Sequence, residues 1–282
     1  MNIYVVSDLH LGDKSPADNF FPIESRFKQF LDMVEQDKNH LLILNGDIFE
    51  IWQCRMGDIV IQYNDLLSRL VNMNTVFIVG NHDIDLIGME NVPGGCWFFD
   101  KFKTFCVIEK EGKKKITIKH GHQLDMYNNP GTSLVTPRVM SLLMSALEKL
   151  YPDSRIEGFT KKYIEPMARN TMKFILHVYE TIFFKDHKND ASTHLDSLDK
   201  YRKEYPEGIL VSGHTHRAGW YENWYVNSGT WEDGENSYYI KITDDNNIVL
   251  FSFPENKIID KQCEGTEYSE YSIKKMWQNR KN

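Results

Sequence analysis

Seven side chains able to bind a metal ion recur in a fixed order, each just beyond a short apolar run: Asp8 and His10, Asp47, Asn81, His120, then His214 and His216. The runs are Ile3-Tyr4-Val5-Val6, Leu41-Leu42-Ile43-Leu44, Val76-Phe77-Ile78-Val79, Ile116-Thr117-Ile118 and Ile209-Leu210-Val211. Apolar stretches this short, bounded by Gly, Asp or Asn, read as buried strands. Strands laid side by side bring all seven groups to one rim, where open α/β sheets place their sites. A fold for this chain must therefore make these strands neighbours and end them in the same direction.

The intervening residues fit that demand. Phe27, Phe30, Leu31 and Val34 share one helical face, and Ile59, Tyr63, Leu66, Leu67 and Leu70 predict a further helix before the third strand. A βαβαβ opening with parallel strands follows. Thr104 to Glu109 and Lys115 to His120 flank Glu111-Gly112-Lys113, which predicts a hairpin. From 132 to 206 the pattern turns helical: Val139, Leu142, Leu143, Ala146, Leu147 and Leu150 make one stripe, and Ile164, Met167, Thr171, Ile175, Val178 and Ile182 another. Strands resume at Gly208 and continue through Trp224-Tyr225-Val226, Tyr238 to Ile242 and Ile248 to Phe253. The expected organisation is one domain over residues 1–282, with a helical insertion at 132–206.

Composition narrows the partners. A net charge of −7 gives no general attraction to a polyanion, so nucleic acid is a poor substrate. The first apolar run is interrupted by Asp8 and His10 and lacks the features of a secretory signal, and no stretch approaches a membrane span, so a cytoplasmic location is expected. Cys54, Cys96, Cys106 and Cys263 show no paired short spacing and are expected to stay reduced there.

The ligand set suits a pair of divalent cations. Two such ions about 3.5–4 Å apart clamp a phosphoryl group and hold a hydroxide between them. The pair needs a bridging carboxylate, and Asp47, alone between two ligand-rich clusters, is the natural bridge. Asp8 with His10, and His214 with His216, lie two residues apart and can chelate from one side. Mixed imidazole, carboxylate and amide ligation suits Mn, Fe, Zn or Co better than Mg or Ca. A lone Asp-x-His is most often accidental, but five clusters in order are not. Four of them adjoin glycines, expected to let backbone approach an ion.

Ser7-Asp8-Leu9-His10-Leu11-Gly12, Gly46-Asp47, Gly80-Asn81-His82-Asp83, His120-Gly121-His122 and Gly213-His214-Thr215-His216 together resemble the motif set of calcineurin-like metallophosphoesterases. The resemblance spans roughly residues 3–230 and implies a four-layer αββα sandwich. It implies one metal on Asp8, His10, Asp47 and His216, and a second on Asp47, Asn81, His120 and His214. It also implies that His82, oriented by Asp83, contacts the phosphate and assists the leaving group. Chemistry agrees, since an imidazole beside a bound phosphate can donate a proton or stabilise developing charge.

The expected activity is hydrolysis of a phosphoester or pyrophosphate by a metal-bound hydroxide. Gly46-Asp47-Ile48-Phe49-Glu50-Ile51-Trp52 and the insertion resemble the UDP-2,3-diacylglucosamine pyrophosphatase group of lipid A synthesis, although that group carries Arg where this chain has His82. A nucleotide or other small phosphoester is the alternative substrate, and a metal-free binding scaffold is the alternative of another class. Met140, Met144, Met167, Met172, Phe174, Leu176, Phe183 and Phe184 supply apolar surface beyond one stripe, suited to an acyl-chain lid, to helix packing or to a homo-oligomer interface. The basic stretch from Ser272 to Lys281 offers a peripheral membrane contact or a plain solvated helix. Arg55, Arg217 and His122 are candidate substrate contacts, set against ordinary surface arginines and a supporting histidine.

Overall fold

Strict alternation along the strands builds two cores at once. In β1 (Asn2–Val6), Tyr4 and Val6 face one way while Ile3 and Val5 face the other. Leu42 and Leu44 of β2 (His40–Asn45) and Phe77 of β3 (Thr75–Ile78) join the first side, whereas Ile43 and Ile78 join the second. A sheet apolar on both faces must be covered on both. The structure, a computed structural model, describes residues 1–89, 101–124, 138, 198–199, 201–203, 207–232 and 237–261.

The first face packs against helices. Helix α1 (Glu24–Gln36) buries the expected Phe27, Phe30, Leu31 and Val34. The single helix expected around Ile59 to Leu70 is two, α2 (Met56–Gln62) and α3 (Asn64–Asn72), parted at Tyr63 with φ −116° and ψ 23°. The apolar spacing runs on across the break because both pieces bury residues against the same sheet, so periodicity alone could not show it. Phe30 is fully buried, with ring centroids 5.3 Å from Trp231, 5.3 Å from Tyr239 and 5.6 Å from Phe253.

The second face meets another sheet, a correction to the single row of strands. The five ligand-bearing strands divide between two sheets. Beyond β1–β3, the remaining strands are β4 (Phe102–Lys103), β5 (Cys106–Ile108), β6 (Ile116–Ile118), β7 (Ile209–Ser212), β8 (Gly219–Tyr221), β9 (Tyr225–Asn227), β10 (Ser237–Ile242), β11 (Ile248–Phe253) and β12 (Ile258–Lys261). The seven-stranded sheet has the order β12-β11-β10-β1-β2-β3-β4, and the five-stranded sheet β5-β6-β7-β9-β8. The parallel pairs β1/β2, β2/β3, β6/β7 and β7/β9 all run toward the ligands. The β5/β6 pair is the expected hairpin.

Ile116, Ile118, Ile209, Val211 and Val226 meet Ile3, Val5, Ile43 and Ile240 between the sheets. On the outer face of the second sheet, Leu210, Tyr221 and Tyr225 take up Leu198 and Tyr201, which lie in helical backbone. Helix, sheet, sheet and helix give the four layers expected. Apart from Arg138 and the residues named at 198–203, the insertion lies outside the described residues, as does the basic C-terminal stretch. No helix of the described residues is long and apolar enough to cross a membrane.

Truncating the aromatic hub should expose this dependence on packing. Phe30→Ala is expected to cost about 3–5 kcal/mol, read as a fall in the urea-unfolding free energy. A loss below about 1 kcal/mol would show that the Phe27–Trp231–Phe253 cluster closes over the cavity.

Candidate metal centre

The loops after β1 and β2 travel on together past the ends of their strands. Asp8 N–H donates to Gly46 O at 3.0 Å, His10 N–H to Asp47 O at 3.0 Å, and Leu11 N–H to Ile48 O at 2.8 Å. This ladder holds Asp8, His10 and Asp47 with positive φ, at 56°, 50° and 50°. His214 and His216, beyond β7, do the same at 71° and 57°. Left-handed backbone costs a residue with a side chain about 1 kcal/mol or more, so five such residues mark a strained rim whose geometry the surrounding hydrogen bonds enforce.

Three of the glycines in the motifs lie against side chains of the site, and a Cβ at Gly46 would collide with the His120 ring. A Cβ at Gly80 would collide with the Asp47 carboxylate, and one at Gly213 with Ser7 and the Asp8 carboxylate. These glycines make room for the side chains of the site.

Asp47 stands at the centre. It is 2% exposed, its Oδ1 accepts the His82 N–H at 2.8 Å, and its Oδ2 lies 3.1 Å from His120 Nε2 and 4.0 Å from His10 Nε2. Asp8, fully buried, accepts the His214 N–H at 3.1 Å and faces His216 Nε2 at 3.1 Å. Three triads have candidate ligand atoms within 4.8 Å of one another: Asp8, His10 and His216; Asp47, His120 and His214; and His10, Glu50 and His82.

Each of three imidazoles is gripped from behind. His10 Nδ1 lies 2.9 Å from Glu50 Oε2, His120 Nδ1 donates to Asn45 O at 2.8 Å, and His216 Nδ1 is 3.4 Å from Glu232 Oε2. A carbonyl can only accept, so the proton of neutral His120 sits on Nδ1 and its Nε2 lone pair points inward. The buried Nε2 atoms of His10 and His120 and Oδ1 of Asn81 have no hydrogen-bond partner among the described residues. Inward, unpartnered nitrogen and oxygen donors around a shared carboxylate fit divalent metal ions.

Sequence reasoning mistook one partner. Asp83 does not hold His82: its carboxylate accepts the N–H groups of Ile48 at 2.8 Å, Phe49 at 3.3 Å and Gly80, tying two ligand loops together. Its partners are backbone groups just after Asp47 and at Gly80, which the adjacency of His82 and Asp83 in the chain could not reveal. The His82 ring instead places Nδ1 2.7 Å from Glu50 Oε2, the same oxygen that meets His10. Glu50 was missed as a site residue; its spacing three residues after Asp47 was the available signal.

His122 is buried beside the centre, its ring 5.5 Å from His120 and 6.4 Å from His214. Arg55 is exposed at the N-terminal cap of α2, and Arg217 is half-buried directly after His216.

Electrostatics follow from this packing. Burial pushes the Glu50 carboxyl up, but hydrogen bonds from His10 and His82 outweigh it and bring it down to about 2. Burial opposes charge on His120, yet Asp47 and Asp8 raise it to about 9. Burial and the Asp47 charge push Asp83 up to about 6. Burial works against an ionised Asp47, but His120 and His82 hold it well below the usual carboxylate range.

Without metal, then, protonated His120 stabilises the fold. Its pKa rises from 6.5 to about 9, so this contribution is whole below about pH 6.5 and is lost as pH climbs through about 9. Glu50 works in the other direction: from 4.5 to about 2, its contribution is whole above about pH 4.5 and lost as pH falls through about 2. The melting temperature of chelated protein should accordingly decline between about pH 6.5 and 9. Binding of Mn²⁺ at neutral pH should release protons, seen as titration heats that scale with the buffer's ionisation enthalpy. Heats independent of buffer would contradict this protonation scheme.

Residues 1–218 match the family described as calcineurin-like phosphoesterase. Among solved structures, vacuolar protein sorting 29 from Cryptosporidium parvum is 15% identical, with 91% of this chain and 93% of that chain covered at a TM-score of 0.42. A mutant cold-active protein tyrosine phosphatase is 11% identical, covering 93% of this chain and 80% of that one at a TM-score of 0.42. A 5'-nucleotidase from Candida albicans SC5314 is 11% identical, covering 99% of this chain and 58% of that one at a TM-score of 0.38. A search of the curated proteins returns no match.

Proposed function

The chain belongs to the calcineurin-like phosphoesterase family and is a metal-dependent phosphoesterase, and from that premise we propose a division of labour among its residues. Asp8, His10, His216 and the shared Asp47 hold one divalent ion, and Asn81, His120, His214 and Asp47 the other. The observation that carries this is the set of inward Nε2 and Oδ1 atoms, buried and unpartnered among the described residues, around one carboxylate. Bound ions supply Lewis-acid polarisation of the phosphoryl oxygens and lower the pKa of water. Manganese, iron or zinc suits these donors.

His82 is the proton donor to the departing oxygen. It is side-on to the centre, its ring centroid 4.6 Å from that of His10, and 19% exposed, so it reaches both substrate and protein. With Nδ1 engaged by ionised Glu50, Nε2 is the nitrogen left for substrate, and an imidazolium there neutralises charge as the bond to phosphorus breaks. Asp83 acts as a brace for the backbone around Asp47. Arg55, Arg217 and His122 are proposed to bind the remainder of the substrate.

For that substrate we favour an acylated, pyrophosphate-linked nucleotide sugar of the UDP-2,3-diacylglucosamine type. The Gly46 to Trp52 segment and the Met- and Phe-rich insertion support it. A cytoplasmic enzyme would meet such a substrate at a membrane surface. Competition by headgroup analogues with and without acyl chains tests this choice: equal inhibition by both would favour nucleotides or small phosphoesters instead.

Two substitutions test the chemistry. Asp47→Ala should lower hydrolysis of bis(p-nitrophenyl) phosphate by about a hundredfold or more and abolish metal uptake at both positions. Activity that survives both this change and chelation would sink the reading. Glu50→Gln removes the charge that faces both His10 and His82 and adds a donor in its place. Metal affinity should fall about ten- to a hundredfold, and turnover should fall with metal saturating. Loss of affinity alone would confine Glu50 to the ligand His10.

A further inference from the structure

A close contact between Nδ1 and Glu50 Oε2, at 2.7 Å, holds one atom of the His82 ring. It leaves the ring free to turn about the Nδ1···Oε2 line, which would carry Nε2 away from any bound phosphate. A second constraint acts on the same ring. Trp52 lies face to face with His82, ring centroids 3.9 Å apart and planes 22° from parallel. His10 closes the neighbouring side with its ring nearly perpendicular, at 87°. The Glu50–Cys54 turn, closed by Cys54 N–H donating to Glu50 O at 3.1 Å, presents Glu50 and Trp52 to the same imidazole.

Trp52 itself has little freedom. It is 5% exposed, and the guanidinium carbon of Arg138 lies 5.7 Å from its ring centroid. Arg138 is in turn paired with Asp85 at 3.0 Å. So enclosed, the indole does not offer an open face for a nucleobase or sugar to stack on. Its stacking is already spent on His82.

The geometry points to Trp52 as a positioning residue that fixes the plane of the His82 ring, so that Glu50 and Trp52 together define where Nε2 sits. This inference rests on the proposed role of His82. It does not involve substrate binding directly, so it predicts an effect on turnover and not on affinity.

The test is a double-mutant cycle on the metal-loaded protein, with Trp52→Phe, which keeps a ring, and Trp52→Met, which fills space without one. Trp52→Met should lower kcat about threefold to tenfold, the range of one stacked pair, with KM unchanged. Trp52→Phe should recover most of the loss. His82→Ala should lower kcat about a hundredfold or more, and adding Trp52→Met to it should cost nothing further. If His82→Ala leaves kcat intact, the role of His82 falls and this inference with it. If His82→Ala is slow but Trp52→Met reduces kcat equally in both backgrounds, His82 stands and Trp52 is merely structural.

Should Trp52→Met fail to fold, proton NMR of the unmutated enzyme decides. A His82 ring proton, assigned by its disappearance in His82→Ala, should lie upfield of the other histidines through the indole ring current. An ordinary chemical shift would overturn the proposal.

Discussion

A buried carboxylate must be surrounded by groups that repay its lost hydration, and Asp47 shows what that demand imposes. At 2% exposure it needs the His82 N–H, the His120 imidazole and the absence of a side chain at Gly80. Meeting these needs brings the loops after β2, β3 and β6 into one place. Asp83 then clips the second of those loops to the first through backbone N–H groups. Each sheet contributes to the enclosure, so the two hydrophobic layers and the polar rim are one construction. The inter-sheet core sets the distance across which Asp47 meets His120.

The strands carrying the ligands were legible because a run of β-branched residues that stops at Asp, Asn or His announces both a strand and its end. Helix α1 was legible from the spacing of Phe27, Phe30, Leu31 and Val34. The division into two sheets was not, because β6 and β7 have the same apolar character as β2 and β3 and nothing local says which neighbours they choose. The seven candidate ligands could be listed from their order, and the structure places them in buried and half-buried positions near Asp47. Their partners behind the site were harder to find. Glu50 reaches His10 and His82 across 40 and 32 residues of chain, and only folding makes that contact.

Glu50 gives the centre a coupling that no single ligand provides. One oxygen, Oε2, holds both a proposed metal ligand and the proposed proton donor, and the acidity of the Glu50 carboxyl keeps that oxygen charged across the neutral range. His120 relies on a carbonyl and His216 on the half-exposed side of Glu232, so the three rings differ in how strongly they are gripped. His10 has the firmest charged partner of the three.

The left-handed backbone at Asp8, His10, Asp47, His214 and His216 also bears on how such a chain drifts. Glycine adopts that conformation without strain, so at these five positions the residue that best suits the backbone is one that removes a ligand. Selection for stability alone therefore works against these five side chains. The side chains of the centre are thus held against the preference of their own backbone, a cost in stability that the ladder of hydrogen bonds between the loops has to meet.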